Sequence, residues 1–225
     1  MNSPAAVVKI GGSVIRSPEA LKGVLARIIS LSRKGYGVTV IPGGGEAAEL
    51  VRKKQETLSL SDTAAHWMAV RAMDINGVLI SDLNSGFTIA EDISSCRAAL
   101  EEKKVPVFLS SSFLRQEGKL PESWDVTSDS ISLFIASKLG VSRLVLVKDV
   151  EGVYPGDGAP EIIETLTPED LREIRRKTSS GCVDRYFPSL ASETGISTCI
   201  VSGYHPGRVE DAVTGRDFEG TLVRT

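Results

Sequence analysis

Cysteine is scarce: Cys96, Cys182 and Cys199 are the three in 225 residues. They form no C-x-x-C pair, and their odd number gives no disulfide framework, so they read as reduced, mostly core residues. Residues 1–6 have neither the basic nor the apolar stretch of a secretory leader, and no apolar run nears the length that spans a bilayer. A cytoplasmic protein with no membrane partner is expected. Basic residues are not in excess, since the formal net charge is -3 and no basic run exceeds Arg175-Arg176-Lys177. No nucleic-acid partner is therefore expected, although a local cluster of lysines and N–H groups could still hold a small anion. Internal repeats and long linkers are also missing, so residues 1–225 are read as one domain. With 41% hydrophobic and 24% charged residues, the chain can bury an ample core, and disorder is not expected.

Glycine is what the chain has, and in telling places. Val7-Val8-Lys9-Ile10 reads as a buried strand that runs into Gly11-Gly12-Ser13 and then, after Pro18, into a helix. Two adjacent glycines let backbone N–H groups approach a phosphate, and Lys9 lies within reach of the same place with a point charge. Residues 38–41 repeat the pattern, running into Gly43-Gly44-Gly45 and a helix at Glu46. Two strand-glycine-helix units in one sheet bring two N–H-rich loops to one edge, where open α/β sheets bind ligands.

Further helices are predicted over 18–34, capped by Ser17, over 61–83, over 92–103, capped by Asp92, and from Thr167-Pro168 onward. Strands are predicted at 87–90, 105–110, 144–147, 198–202 and 221–224, with a helical turn at 206–213. Residues 111–125 read as a long loop of the kind that carries function. Asp129 falls in the first turn of a helix that ends at Leu139, where a carboxylate is electrostatically favoured. His66 and Trp67 lie one turn into the helix at 61–83; a lone helical histidine is more often structural, but this one could face a bound acceptor. Alternating strands and helices imply an α/β fold, a three-layer αβα sandwich around a mostly parallel sheet.

Four signals in this order resemble the amino acid kinase family: Lys9-Ile10-Gly11-Gly12-Ser13, Gly43-Gly44-Gly45, Asp129 at a helix start, and Lys148-Asp149-Val150-Glu151-Gly152-Val153-Tyr154. The last is similar to a stretch of uridylate and isopentenyl phosphate kinases. No Walker A or protein-kinase loop set competes with it. The resemblance implies phosphoryl transfer from ATP with Mg²⁺, the acceptor held by the N-terminal half and the nucleotide by the C-terminal half. Lys9, Asp129 and Lys148 would be catalytic, with no metal ligands from the protein. Gly11, Gly12, Ser13, Lys148, Asp149, Gly152, Val153 and Tyr154 would hold the nucleotide. Gly43, Gly44, Gly45, Asp62, His66, Trp67, Trp124 and Thr127 would hold a small-molecule phosphate acceptor. A homo-oligomer is expected.

Many members carry a second lysine in a G-M-x-x-K segment, whereas this chain has Gly181-Cys182-Val183-Asp184-Arg185. Arg185 or Lys148 is left to supply that charge. The stretches around Trp67, Trp124 and Tyr186 are similar to kinases of methanofuran biosynthesis, which implies [5-(aminomethyl)furan-3-yl]methyl phosphate as the acceptor. Trp67 and Trp124 would wall a furan ring, Asp62, Asp125 or a Trp face would meet its ammonium group, and His66 would suit its phosphate. Uridylate or isopentenyl phosphate as acceptor, or a non-catalytic nucleotide- or oxyanion-binding protein, are the alternatives.

Overall fold

The computed structural model describes residues 6–178 and 181–225, so the leader reading rests mostly on residues outside that range. The first half of the chain runs β1 (Ala6–Ile10), α1 (Gly12–Ile15), α2 (Pro18–Arg33), β2 (Val38–Pro42), α3 (Gly45–Leu58), α4 (Asp62–Asp82), β3 (Phe87–Ala90), α5 (Ile93–Glu101) and β4 (Val105–Phe108). The second half runs α6 (Ser110–Glu117), α7 (Ser128–Leu139), β5 (Arg143–Lys148), β6 (Thr165–Leu166), α8 (Pro168–Lys177), α9 (Phe187–Thr194), β7 (Ser197–Ser202), α10 (Pro206–Thr214) and β8 (Thr221–Val223). Among the described residues no helix is long and apolar enough to cross a membrane.

The strands form one sheet in the order β3-β4-β2-β1-β5-β7-β8-β6, parallel throughout except where β8 runs against β7. Every residue of β1, β2 and β4 is buried, as a parallel sheet covered on both faces requires of its continuous aliphatic runs. Val8, Ile10, Val145 and Val147 share one apolar cluster with Val24 and Ile28 of α2 and Val209 of α10. Val7, Leu144 and Leu146 share the other with Ile131 of α7, Leu171 of α8 and Phe187 of α9. The result is the expected three-layer sandwich, and the alternation along each strand decides which layer a side chain meets.

The chain leaves β1 for β2 on one side and reaches β5 on the other, so β1 stands at the point where strand order reverses and a crevice opens beyond the strand ends. The glycine loops fill its floor. The N–H of Gly11 donates to Val147 O (2.8 Å), that of Gly43 to Ile10 O (2.8 Å), and Asn76 Nδ2 of α4 donates to Gly43 O (2.7 Å). Gly45 adopts a φ of 54°, in the left-handed region that suits glycine. A Cβ on Gly12 would lie 2.5 Å from the backbone of Gly45, so the two loops touch main chain to main chain.

The caps at Ser17, Ser61, Asp92 and Thr167 all accept the N–H three residues on. The long loop predicted over 111–125 is corrected: its first part belongs to α6, which ends at Gly118. Its serines look like loop formers because no side chain at its N-cap, Leu109, satisfies the first N–H groups. That cap comes from another helix, where Asp74 Oδ1 accepts from Ser110 N (2.8 Å) and Ser111 N (3.3 Å). The short helices α1 and α9 and the two-residue strand β6 were also not anticipated, each being too brief for a periodic signal.

The Gly12–Gly45 contact carries a direct expectation. Gly12→Ala forces backbone away from backbone, and urea unfolding is expected to show a loss of about 2 kcal/mol, whereas an unchanged midpoint would mean the loops part freely.

Candidate active site

Period-two alternation puts Lys9 on the same face of β1 as Val7, and Lys148 on the same face of β5 as Leu144 and Leu146. The parallel register sets Lys9 opposite Leu146, so both lysines emerge at the strand ends over α7. There they share one carboxylate. Lys9 Nζ lies 2.9 Å from Asp129 Oδ1, and Lys148 Nζ donates to Oδ2 at 2.8 Å. All three groups are largely buried, with side-chain exposures of 5%, 14% and 6% for Lys9, Lys148 and Asp129.

Burial by itself would raise the Asp129 carboxyl, but Lys148 and then Lys9 outweigh it and hold the group far below the usual carboxylate range. For Lys148, burial is outweighed by Asp129 and the ammonium is held above its ordinary value. Lys9 is different: burial dominates and pushes it down. Two cations on one anion leave an excess positive charge in a dry site, which is the electrostatic requirement for holding a transferring phosphoryl group.

Asp129 is positioned from a distance. The N-cap of α7, Thr127, makes no side-chain capping bond of its own. Buried Asp184 takes that role, accepting from Thr127 N (2.9 Å), Thr127 Oγ1 (2.9 Å), Ser130 N (3.0 Å), Ser130 Oγ and Phe187 N (3.0 Å). Burial and the nearby Asp129 charge raise the Asp184 carboxyl, against the pull of these donors. Asp184 therefore ties the starts of α7 and α9 together and sets the turn that carries Asp129.

On one side of this cluster lies a cleft of roughly 300 Å³. Gly12, Ser13, Gly44, Gly45, His66, Trp124 and Thr127 line it, so most of the expected acceptor residues come together. Gly43, Asp62 and Trp67 do not, and the Gly43 N–H is spent on Ile10 O. Asp62 is exposed and accepts from Gln55 Nε2 (2.8 Å), while Trp67 packs on the core with Arg115 stacked 4.3 Å from its ring. Asp125 lies 3.7 Å from Arg185 and is likewise outside the cleft. His66 Nδ1 meets Ser123 O at 3.2 Å and so donates to it; burial lowers its pKa, leaving a neutral ring at pH 7 whose Nε2 accepts. Such a ring suits a donor better than a phosphate oxygen. The cleft's cations are instead Arg16, four residues after Gly12, and Arg52, seven after Gly45. Helical spacing from each glycine loop could have pointed to both; as exposed helix arginines they read as solubility residues.

On the other side, Lys148, Asp149, Gly152, Val153 and Tyr154 surround a second hollow of about 540 Å³ with Cys182 at its wall. Val153 is part of that wall's core, its N–H donating to Thr221 Oγ1 (2.8 Å). Burial raises the Cys182 thiol, which keeps it protonated beside Lys148. Gly12 and Ser13, expected at the nucleotide, border the first cleft and not this hollow, because α1 starts at Gly12 and turns both away from β5, and Gly11 lines neither. Arg185 is 70% exposed and lines neither, so the second cation at the cluster is Lys148.

Glycine loops beside one cavity, Lys148 beside another and a buried pair of lysines on one carboxylate, at the switch point of a parallel sheet, are the arrangement of a phosphotransferase. The chain belongs to the amino acid kinase family, whose model matches residues 4–187. It is 31% identical over 211 residues to the [5-(aminomethyl)furan-3-yl]methyl phosphate kinase of Methanocaldococcus jannaschii, covering 93% of each chain. It is also 27% identical over 234 residues to the uridylate kinase of Thermococcus gammatolerans, covering 96% of this chain and 98% of the relative. Among solved structures, uridylate kinase from Archaeoglobus fulgidus superposes with a TM-score of 0.76 at 21% identity, covering 97% of this chain and 99% of the other. UMP kinase from Ureaplasma parvum gives 0.75 at 19% identity over 100% of both chains.

The capping role of Asp184 can be measured. Asp184→Asn turns an amide donor toward the donors of Thr127 and Ser130, and a loss of about 3 kcal/mol in urea unfolding is expected, with slower turnover as Asp129 shifts. Wild-type stability and rate in this variant would show that the cap is dispensable.

Proposed function

We propose that this chain transfers the γ-phosphoryl group of ATP to the phosphate of [5-(aminomethyl)furan-3-yl]methyl phosphate, giving the diphosphate and ADP. The observation that carries this reading is the Lys9–Asp129–Lys148 cluster, with Lys148 at the rim of one cavity and the start of α7 at the other, and the acceptor is suggested by the name of the 31% identical M. jannaschii kinase. The N-terminal half would hold the acceptor and the C-terminal half the nucleotide, residues 1–225 working as one unit. An acceptor phosphate oxygen bonds to the γ-phosphorus as its bond to the β–γ bridging oxygen breaks. A phosphate nucleophile is already ionised at neutral pH, so the site needs no general base, and Asp129, committed to two lysines, does not act as one.

Lys9 and Lys148 would neutralise charge on the transferring group, the N–H groups of Gly12, Gly44 and Gly45 would bind equatorial and acceptor oxygens, the Gly11 N–H being spent on Val147 O, and Asp129 would hold both ammonium groups in place. Among the described residues no cluster of three His, Cys, Asp or Glu side chains could hold a metal ion. Mg²⁺ would enter on the nucleotide phosphates and supply charge neutralisation there. Trp124 and the cations Arg16 and Arg52 suit an aromatic phosphomonoester. An isopentenyl chain would want an all-apolar cleft, and uracil would want amide-like partners.

The test is ³¹P NMR with Mg-ATP and the furan phosphate beside UMP and isopentenyl phosphate. A new pair of diphosphate doublets is expected with the furan compound; turnover of UMP or isopentenyl phosphate alone would keep the reaction and replace the acceptor, and ATP binding without turnover would favour a non-catalytic protein. Lys9→Ala is expected to lower kcat by about 10²-fold while ATP still binds.

A homo-oligomer also belongs to this reading. Ile75, Leu79 and Leu83, spaced by four along and just past α4, are all exposed, and α4 packs beside the edge strand β3, where Ile89 is exposed too. A contiguous apolar stripe next to an open sheet edge suits a second copy of the chain related by a two-fold axis. Light scattering is expected to give a multiple of the single-chain mass, and Leu79→Glu to reduce it; a monomeric wild-type protein would discard the assembly.

A further inference from the structure

Residues 148–154 wall the nucleotide hollow with one exception: Lys148, Asp149, Val150, Gly152, Val153 and Tyr154 line it, and Glu151 does not. Glu151 is turned toward α10 instead. There Arg208 donates through Nη1 to Glu151 Oε2 and through Nη2 to Glu219 Oε2, so one guanidinium grips both the middle of this loop and the stretch that enters β8. His205, the N-cap of α10, places Nε2 3.7 Å from Glu151 Oε1. Partial burial would raise the Glu151 carboxyl, but its bond to Arg208 and that group's charge hold it below the ordinary carboxylate range. The two ends of the loop are pinned separately, Gly203 N donating to Lys148 O (2.7 Å) and Val153 N to Thr221 Oγ1 (2.8 Å). α10 is itself seated on the sheet, with Val209, Ala212 and Val213 in the same apolar cluster as Val147 and Val201. Arg208 therefore reaches the loop from an anchored helix, and it does not line the hollow.

We propose that Arg208 is a positioning residue for the nucleotide: by holding Glu151 it keeps the loop after β5 in the shape of a nucleotide wall, without touching the nucleotide. This rests on the kinase reading above, which puts ATP in that hollow. Arg208 acts in two ways at once. Its planar fork fixes two carboxylates through charge-assisted bonds, and its positive charge offsets their repulsion. Without it, Glu151 and Glu219 face each other as like charges and push the loop away from α10. Losing Arg208 is therefore worse than losing Glu151, an asymmetry that simple unpinning would not give.

Calorimetric titration with Mg-ATP gives the nucleotide Kd, and steady-state rates give the KM of ATP and of the acceptor separately. Arg208→Met is expected to weaken ATP about tenfold while the acceptor KM stays within about twofold. Glu151→Gln is expected to weaken ATP by only about threefold, and adding it to Arg208→Met to recover part of that variant's loss. Arg208→Lys keeps the charge and loses the fork; it is expected to lie between wild type and Arg208→Met, and it serves where Arg208→Met does not fold. Unchanged ATP affinity in the Arg208 variants, equal losses for ATP and acceptor, or a double variant weaker than Arg208→Met alone overturns the assignment of Arg208 while leaving the kinase reading intact. Wild-type protein that neither binds Mg-ATP nor turns over an acceptor overturns the kinase reading and this inference together.

Discussion

The sharing of one buried carboxylate by two lysines is the constraint around which the rest of the structure is arranged. Removing two ammonium groups and a carboxylate from water is costly, and the attraction between them repays it only if geometry is tightly held. Here β1 and β5 hold the lysines in adjacent parallel register, and α7 brings Asp129 to both with its first turn. Everything nearby serves that geometry. The sheet is aliphatic on both faces, which holds its strand ends, and glycines line the crevice because a Cβ at Gly11, Gly12, Gly43 or Gly44 would strike neighbouring protein atoms at 2.5–2.9 Å.

The electrostatics follow from the same arrangement. Asp129 meets its two partners at nearly equal distances, 2.9 Å to Lys9 and 2.8 Å to Lys148, and the pair of ammonium groups in turn holds its carboxyl far below the usual range. The two cavities differ, one walled by glycine, tryptophan and arginine, the other by the loop after β5 and by Cys182.

Much of this was legible in the sequence because it is local. Strand-glycine-helix units announce themselves through a change of period followed by Gly-Gly, and Ser17, Asp92 and Thr167 mark helix starts because their own hydroxyl or carboxylate does the capping. What stayed hidden depends on partners far along the chain. α6 looked like a loop because its cap is Asp74, 36 residues earlier, and Asp184 gave no sign that it caps a helix 54 residues before it. Asp62 and Trp67 have the right chemistry for an acceptor, but where a side chain points on a long helix depends on the neighbours it packs against: Asp62 turned to Gln55, and Trp67 to the core and Arg115. Arg16 and Arg52 were overlooked for the converse reason: their helical spacing from the glycine loops is readable, but it does not say that a cavity lies beside that face.

The distant cap on α7 makes readiness a matter of time. On a ribosome, Lys9, both glycine loops and Asp129 emerge well before Asp184, so the nascent chain holds most of its phosphate-handling parts with nothing yet to set the turn that aligns them. Only when the segment through Phe187 has docked, closing five hydrogen bonds at once around one carboxylate, does the phosphoryl site become rigid. The geometry around Asp129 is thereby coupled to the arrival of a segment 54 residues further along the chain.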